Sequence, residues 1–182
     1  MKLPLVRCGF VFPLLFAFAL LAPARAADSV QTPEAKLAAL GLKLPATTAP
    51  VANYVSAVRT GNLVFLAGHI SRGADGKVIA GKLGRDLTVE QGNAAAKQTA
   101  LALLATLKKE VGELAKVKRI VRVGGFVNSV ENFTQQPQVM NGCSDLLVAV
   151  FGERGKHARA ALGMAALPLD CAVEIEMVVE VE

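Results

Sequence analysis

The segment Val173–Val181 places the strongest constraint on the fold: Val173, Ile175, Met177, Val179 and Val181 alternate with Glu174, Glu176, Val178 and Glu180. Successive side chains of a strand point to opposite faces, so this pattern predicts a strand with one face in a core and the other bearing carboxylates. Such a strand needs sheet neighbours and an apolar layer on its buried side. Helices are the natural source of that layer.

Two helical patterns supply it. Thr88-Val89-Glu90-Gln91 is a capping box, in which the Thr88 hydroxyl serves the Gln91 amide while Gln91 reaches back to residue 88. The helix it opens runs to Val111, with Ala96, Ala100, Leu103, Leu104 and Leu107 forming one buried stripe and Gly112 ending it. A second helix is expected from Gln136 to Phe151, with Pro137 in its first turn and Gly152 at its close. Asn141-Gly142 pulls against that reading, since the pair favours a turn.

Strand patterns surround the helices. Tyr54–Val58 and Leu63–Ala67 flank a turn at Thr60-Gly61-Asn62, and Lys77–Ala80 follows a turn at Asp75-Gly76. Val117–Asn128 is β-rich, with Gly124-Gly125 read as a bulge or close packing, and Ala160–Ala165 precedes the final strand. The order β-β-β-α-β-α-β-β predicts an α+β domain with helices on one face of a mixed or antiparallel sheet. The other face then needs a cover, which argues for oligomerisation.

The beginning of the chain reads differently. Lys2 and Arg7, the apolar run Phe10–Ala22, Pro23 and then Ala24-Arg25-Ala26 follow the order of a secretory leader. The apolar run has 13 residues, short of the roughly 20 that span a bilayer, so residues 1–26 are expected to be removed by cleavage before Ala27. The product is expected outside the cytoplasm, in a periplasm or secreted. Cleavage removes three basic residues and no acidic one, so the formal charge falls from +5 to +2. Nothing in that balance calls for nucleic acid or for a membrane surface. Residues 27–50 form an Ala/Thr/Pro-rich extension around a short helix, Pro33–Leu40, with Thr32 as cap and Gly41 just past its end. Residues 51–182 form the domain proper.

Cys143 and Cys171 remain after cleavage. In an oxidising compartment they can form a disulfide or stay as small buried hydrophobes, and the sequence leaves both readings open. His69 and His157 lack metal-ligand spacing, so structural roles are expected for both and no metal is implied. No phosphate-binding glycine loop is present.

An ordered set of short segments resembles one family. Asn53-Tyr54, Gly61-Asn62-Leu63-Val64-Phe65 leading into Ala67-Gly68-His69-Ile70, Asn141, Ala158-Arg159-Ala160-Ala161, Leu167-Pro168 and Val173-Glu174-Ile175-Glu176 together resemble the RidA/YjgF reactive-intermediate deaminases. That family also carries the labels endoribonuclease L-PSP and chorismate mutase-like. The resemblance covers roughly Pro50 to Glu182.

It implies a RidA-like fold and a homotrimer with sheets facing a common centre and clefts at the subunit seams. It also implies hydrolysis of enamine or imine intermediates such as 2-aminoacrylate to a 2-keto acid and ammonia, without cofactor or metal. Arg159 matches the residue that holds the substrate carboxylate, and Glu174 the acid beside the attacking water. Tyr54 matches the residue that closes the cleft, Asn141 the polar helix residue facing it, and Gly68 the glycine whose backbone meets the ligand. The expected partner is a small carboxylate-bearing imine, enamine or 2-keto acid.

The sequence departs from the family pattern at Ala67, where many members have Ser, at Ala161, where many have Cys, and at His69, a common Gln. Non-catalytic carboxylate binding in the same clefts is therefore the competing function. Each site residue also has a bland alternative. Arg159 and Glu174 can be solvated charges, Tyr54 a packed aromatic and Asn141 a helix cap. RNA cleavage finds no basic-aromatic stripe in the sequence.

Overall fold

The computed structural model describes Met1 and residues 31–47, 49 and 52–182. The expected leader and its cleavage point before Ala27 lie outside the described residues. Among the described residues one sheet contains β1 (Ala57–Thr60), β2 (Leu63–Ile70), β3 (Val117–Asn128), β4 (Ala158–Met164) and β5 (Val173–Val181), in the order β1-β2-β5-β3-β4.

The alternating segment becomes β5 at the centre of this sheet. Val173, Ile175, Met177, Val179 and Val181 are all buried, while Glu174, Glu176, Val178 and Glu180 are only half-buried. Long α2 (Val89–Val111) and α3 (Gln136–Phe151) cover the apolar side. Burial of the large aliphatic residues of α2 and β5 stabilises this layer by roughly 1.5–3 kcal/mol per side chain before ordering costs.

The capping box of α2 forms as expected. The Gln91 amide donates to Thr88 Oγ1 at 3.3 Å, and the Thr88 amide donates to Gln91 Oε1 at 2.9 Å. Asn141-Gly142 lies inside α3 and makes no turn. Gly142 sits where the helices touch, and a Cβ there would lie 2.9 Å from the Asn93 carbonyl carbon of α2. The glycine thus serves close helix approach, which outweighs its local turn preference.

All neighbouring strands are antiparallel except β3 and β4, which run parallel. Parallel neighbours require a crossover, and α3 provides it. Gly124 and Gly125 are close-packing positions. A Cβ on Gly124 would meet the Glu176 side chain and one on Gly125 the Met140 side chain of α3. The bulges of β3 fall earlier, between Val117 and Arg119 and between Ile120 and Arg122.

Several boundaries differ from expectation. The hairpin pairs Thr60 with Leu63, so Gly61 (φ 57°) and Asn62 alone make the turn and β1 moves to residues 57–60. Tyr54 consequently lies ahead of the strand. Lys77–Ala80 forms no strand: only isolated bridges join Arg72 to Val78 and Ala80 to Cys171. Turns at Gly76 (φ 79°) and Gly81 (φ 120°) bound this stretch, and its two bridges go to different partners, Arg72 and Cys171, so no ladder builds on either. Strand β4 begins two residues earlier than expected, placing Arg159 inside it.

Helix α1 (Pro33–Ala39) lies on the domain through buried Pro33 and Leu37. The Leu114 amide donates to Glu34 Oε1 at 2.9 Å, and Lys108 Nζ stands 3.5 Å from the same oxygen. The face of the sheet away from the helices exposes Val58, Phe65 and Leu162.

Candidate functional site

Arg159 sits on β4 directly opposite Val123 of β3, which in turn pairs with Met177 of β5. Residues paired across a sheet share a face, so Arg159 lies on the helix side at the sheet edge. There α3 meets it with two acceptors one turn apart. Arg159 Nη1 donates to Asn141 Oδ1 at 3.0 Å and to Ser144 Oγ at 3.0 Å. Since Nη1 has two hydrogens, both are used. The Nε and Nη2 hydrogens form a parallel edge suited to a carboxylate.

A second group backs this contact. The 3-10 turn Gly152–Gly155 joins α3 to β4, and Gly155 allows it close approach, because a Cβ there would lie 2.6 Å from the Leu147 carbonyl carbon. The turn delivers His157, whose Nδ1 is 2.6 Å from Gly155 O and whose Nε2 is 3.0 Å from Ser144 Oγ. A carbonyl only accepts, so Nδ1 carries the proton and Nε2 is the acceptor. Burial lowers the imidazole's affinity for a second proton, and the nearby Arg159 charge lowers it further against the opposing Gly155 hydrogen bond. The ring is therefore neutral at pH 7.

Glu174 occupies the opposite face. It pairs with Phe126 of β3 and Ile70 of β2, and Phe126 pairs with exposed Leu162 of β4. Its carboxyl group lies over Gly68, where an added Cβ would collide with the carboxyl oxygen Oε1. Gly68 falls in the irregular stretch of β2 between Leu66 and His69. Partial burial and then the neighbouring Glu176 charge raise the Glu174 pKa above its usual value. Arg122 neutralises Glu176 instead, with Nη1 2.7 Å from its carboxylate.

The structure thus joins Arg159 with Asn141, and Glu174 with Gly68, but sets the two pairs on opposite faces of one sheet. Tyr54 lies in the segment before β1, 52% exposed. His69 links the sheet to α2: Nδ1 is 2.8 Å from Ala67 O, and Nε2 is 2.8 Å from Thr106 Oγ1. Cys143 and Cys171 are free buried thiols, pushed up to about 12 and about 11 chiefly by burial. Among the described residues, no group of three or more His, Cys, Asp or Glu side chains is placed to hold a metal ion. A cavity at the start of α2, lined by residues such as Arg85, Asp86 and Phe133, contains none of these residues.

The sequence reading passes over Ser144 and gives His157 only a structural role. Their signals were present but weak: Ser144 follows Asn141 by three residues on a helix, and His157 precedes Arg159 by two at a strand. Those spacings put each pair on one face.

Comparison with known proteins agrees with this architecture. A 147-residue stretch is 46% identical to protein TCP17 of Trypanosoma cruzi, covering 80% of this chain and 92% of that protein. An Agrobacterium tumefaciens structure of unknown function matches with TM-score 0.76 and 40% identity over 83% of this chain and 94% of its own. A Shewanella oneidensis MR-1 structure bearing an endoribonuclease label matches with TM-score 0.80 and 34% identity over 83% and 100%. RidA of Psychrobacter sp. PAMC 21119, at 24% identity and TM-score 0.52 over 74% and 94%, shares the fold. The model of the YjgF/chorismate mutase-like endoribonuclease family matches residues 34–181, nearly all of the domain built around these two faces, and the chain belongs to that family.

Proposed function

We propose that this protein hydrolyses reactive enamine or imine intermediates, of the 2-aminoacrylate and 2-imino acid class, to 2-keto acids and ammonia. The observation that supports this most directly is the placement of a locked guanidinium on one sheet face and a carboxyl group of raised pKa on the other. A homotrimer with sheets turned toward a common centre brings the Arg159 edge of one subunit against the Glu174 face of the next. Exposed Val58, Phe65 and Leu162 on that face give such an assembly apolar surface to bury.

In this reading the Nε–Nη2 edge of Arg159 grips the substrate carboxylate. Protonation of the enamine carbon with loss of an N–H proton gives the imine. Water then adds to the imine carbon, and loss of ammonia leaves the keto acid, so one C=N bond and one water become C=O and NH3. A carboxyl group whose proton affinity is raised by partial burial and then by the Glu176 charge suits both proton transfers. Removal of the leader would put this activity outside the cytoplasm, and N-terminal sequencing of exported protein beginning at Ala27 would support that placement.

The decisive experiment follows freshly generated 2-iminopropionate with the leaderless protein and its Arg159→Ala variant. Accelerated decay that the variant loses supports the enzyme. Ala67 and Ala161 supply no hydroxyl or thiol to the cleft. Pyruvate binding without turnover would accordingly favour a carboxylate-binding protein. A stable monomer in light scattering at micromolar concentration would remove the seam on which the reading depends.

A further inference from the structure

We propose that Ser144 and His157 form a positioning relay that turns the Nε–Nη2 edge of Arg159 outward, with His157 accepting a hydrogen bond from the Ser144 hydroxyl so that the serine oxygen must accept from the guanidinium. The proposal rests on the reading of Arg159 as a carboxylate anchor and adds residues to that site.

The direction of each hydrogen bond follows from the chemistry of its partner. Gly155 O can only accept, so His157 Nδ1 donates to it across 2.6 Å and the neutral ring presents a lone pair at Nε2. Ser144 Oγ, 3.0 Å away, is the only one of the two able to supply a proton, so its hydroxyl donates to Nε2. The remaining lone pairs of Ser144 then face Arg159 Nη1, also at 3.0 Å. A serine without this backing has a freely rotating hydroxyl, which can turn its lone pairs away from Arg159 Nη1. With His157 in place that choice is gone. Both Nη1 hydrogens are committed, rotation of the guanidinium would break two bonds, and the free edge is held in one orientation.

The surroundings reinforce the relay. Ser144 and Asn141 lie one turn apart on α3, a rigid element anchored by buried Val139, Met140, Cys143 and Leu147. Gly155 lets the connecting turn press against the α3 backbone at Leu147, which sets His157 beside Ser144. Burial holds the ring neutral, so the acceptor persists at pH 7. A binding group fixed before the ligand arrives does not have to be ordered by it.

The test uses pyruvate as probe with wild type, Ser144→Ala, Ser144→Thr, His157→Phe, the Ser144→Ala/His157→Phe double variant and Arg159→Ala. Loss of the relay should weaken pyruvate binding about 3- to 30-fold in Ser144→Ala and in His157→Phe. The double variant should be no worse than either single change, because both act through one chain of hydrogen bonds. Ser144→Thr, which keeps the hydroxyl, should bind like wild type.

A second measurement is independent of ligand. Nitrogen NMR of Arg159 should show restricted guanidinium rotation in wild type and Ser144→Thr, and free rotation in Ser144→Ala and His157→Phe. Unchanged rotation in those two variants overturns the relay, as do additive affinity losses. If Arg159→Ala binds pyruvate as tightly as wild type, the anchor reading fails instead, and the rotation measurement still decides whether the relay exists.

Discussion

The two faces of the sheet hold their charged groups by different means. On the helix side, Arg159 lies on an edge strand and is fixed by the hydrogen bonds it donates to α3, with its free edge left toward solvent. On the open side, Glu174 lies on the central strand with its carboxyl group over a glycine and beside a second carboxylate. The first arrangement fixes the orientation of a planar, two-pronged donor. The second leaves orientation looser and tunes proton affinity through burial and like charge. Binding and proton transfer need different things, and the sheet keeps their requirements apart.

The largest expected effect tests that separation directly. Glu174→Gln should lower turnover of an imino acid about 100- to 10,000-fold while leaving pyruvate affinity near wild type, as befits loss of an acid-base group. Steady-state kinetics paired with calorimetry reads both quantities. Equal losses of turnover and affinity would show that Glu174 binds rather than transfers protons.

Arg159 should behave in the opposite way. Arg159→Ala is expected to cost about 2–4 kcal/mol, or roughly 30- to 1000-fold in kcat/KM, with pyruvate affinity falling in step. Arg159→Lys should be nearly as damaging, since it keeps the charge and loses the two-pronged geometry. Full activity in the Lys variant would reduce Arg159 to a surface charge. Circular dichroism should show both variants folded, because the side chain is exposed.

A smaller effect probes the glycine beneath the acid. Gly68→Ala forces the Glu174 carboxyl group aside without straining the backbone, since Gly68 is absent from the positive-φ positions. Misplacing a reacting group by about 1 Å can cost on the order of 10- to 100-fold, so turnover should fall by that amount with pyruvate affinity less affected. Wild-type kinetics in this variant would mean that the position of the Glu174 carboxyl group does not matter.

The smallest effect is thermodynamic. The folded-state pKa of Glu174 is raised, so ionising it costs stability, and this cost is absent below the usual carboxylate value of 4.5 and grows as pH rises through the folded value. Glu174→Gln should therefore melt slightly above wild type at pH 7.5, and the difference should vanish by pH 4.5. A variant that melts below wild type at pH 7.5 would mean that the ionised group is stabilised by its neighbours. Partial exposure limits the effect on stability.

Much of this arrangement was legible from the residues themselves, because local periodicity and capping do not depend on distant partners. The Thr88–Gln91 box, the α2 stripe, the bounds of α3 and the two faces of β5 follow from spacing, and the structure bears them out. The short helix at Pro33 appears one residue shorter than expected, with Leu40 as its cap. Where local rules failed, a distant contact had overruled them. Asn141-Gly142 stays helical because Asn93 of α2 presses on it, and Lys77–Ala80 makes only single bridges to residues 72 and 171.

What only tertiary structure decided is the meeting of residues from separate elements. Pairing order is a long-range choice: β5 inserts between β2 and β3, and β4 returns parallel to β3 because α3 carries the chain back across the sheet. That choice puts Arg159 and Glu174 on opposite faces, and it turns an unremarked serine and an apparently structural histidine into neighbours of Arg159. A sequence displays the period of each element, which short-range sterics set. The juxtaposition of side chains 13 or 15 residues apart, such as Ser144 with His157 and Arg159, depends on the angle at which the joining turn docks against the helix. Packing of Gly155 on the α3 backbone sets that angle here.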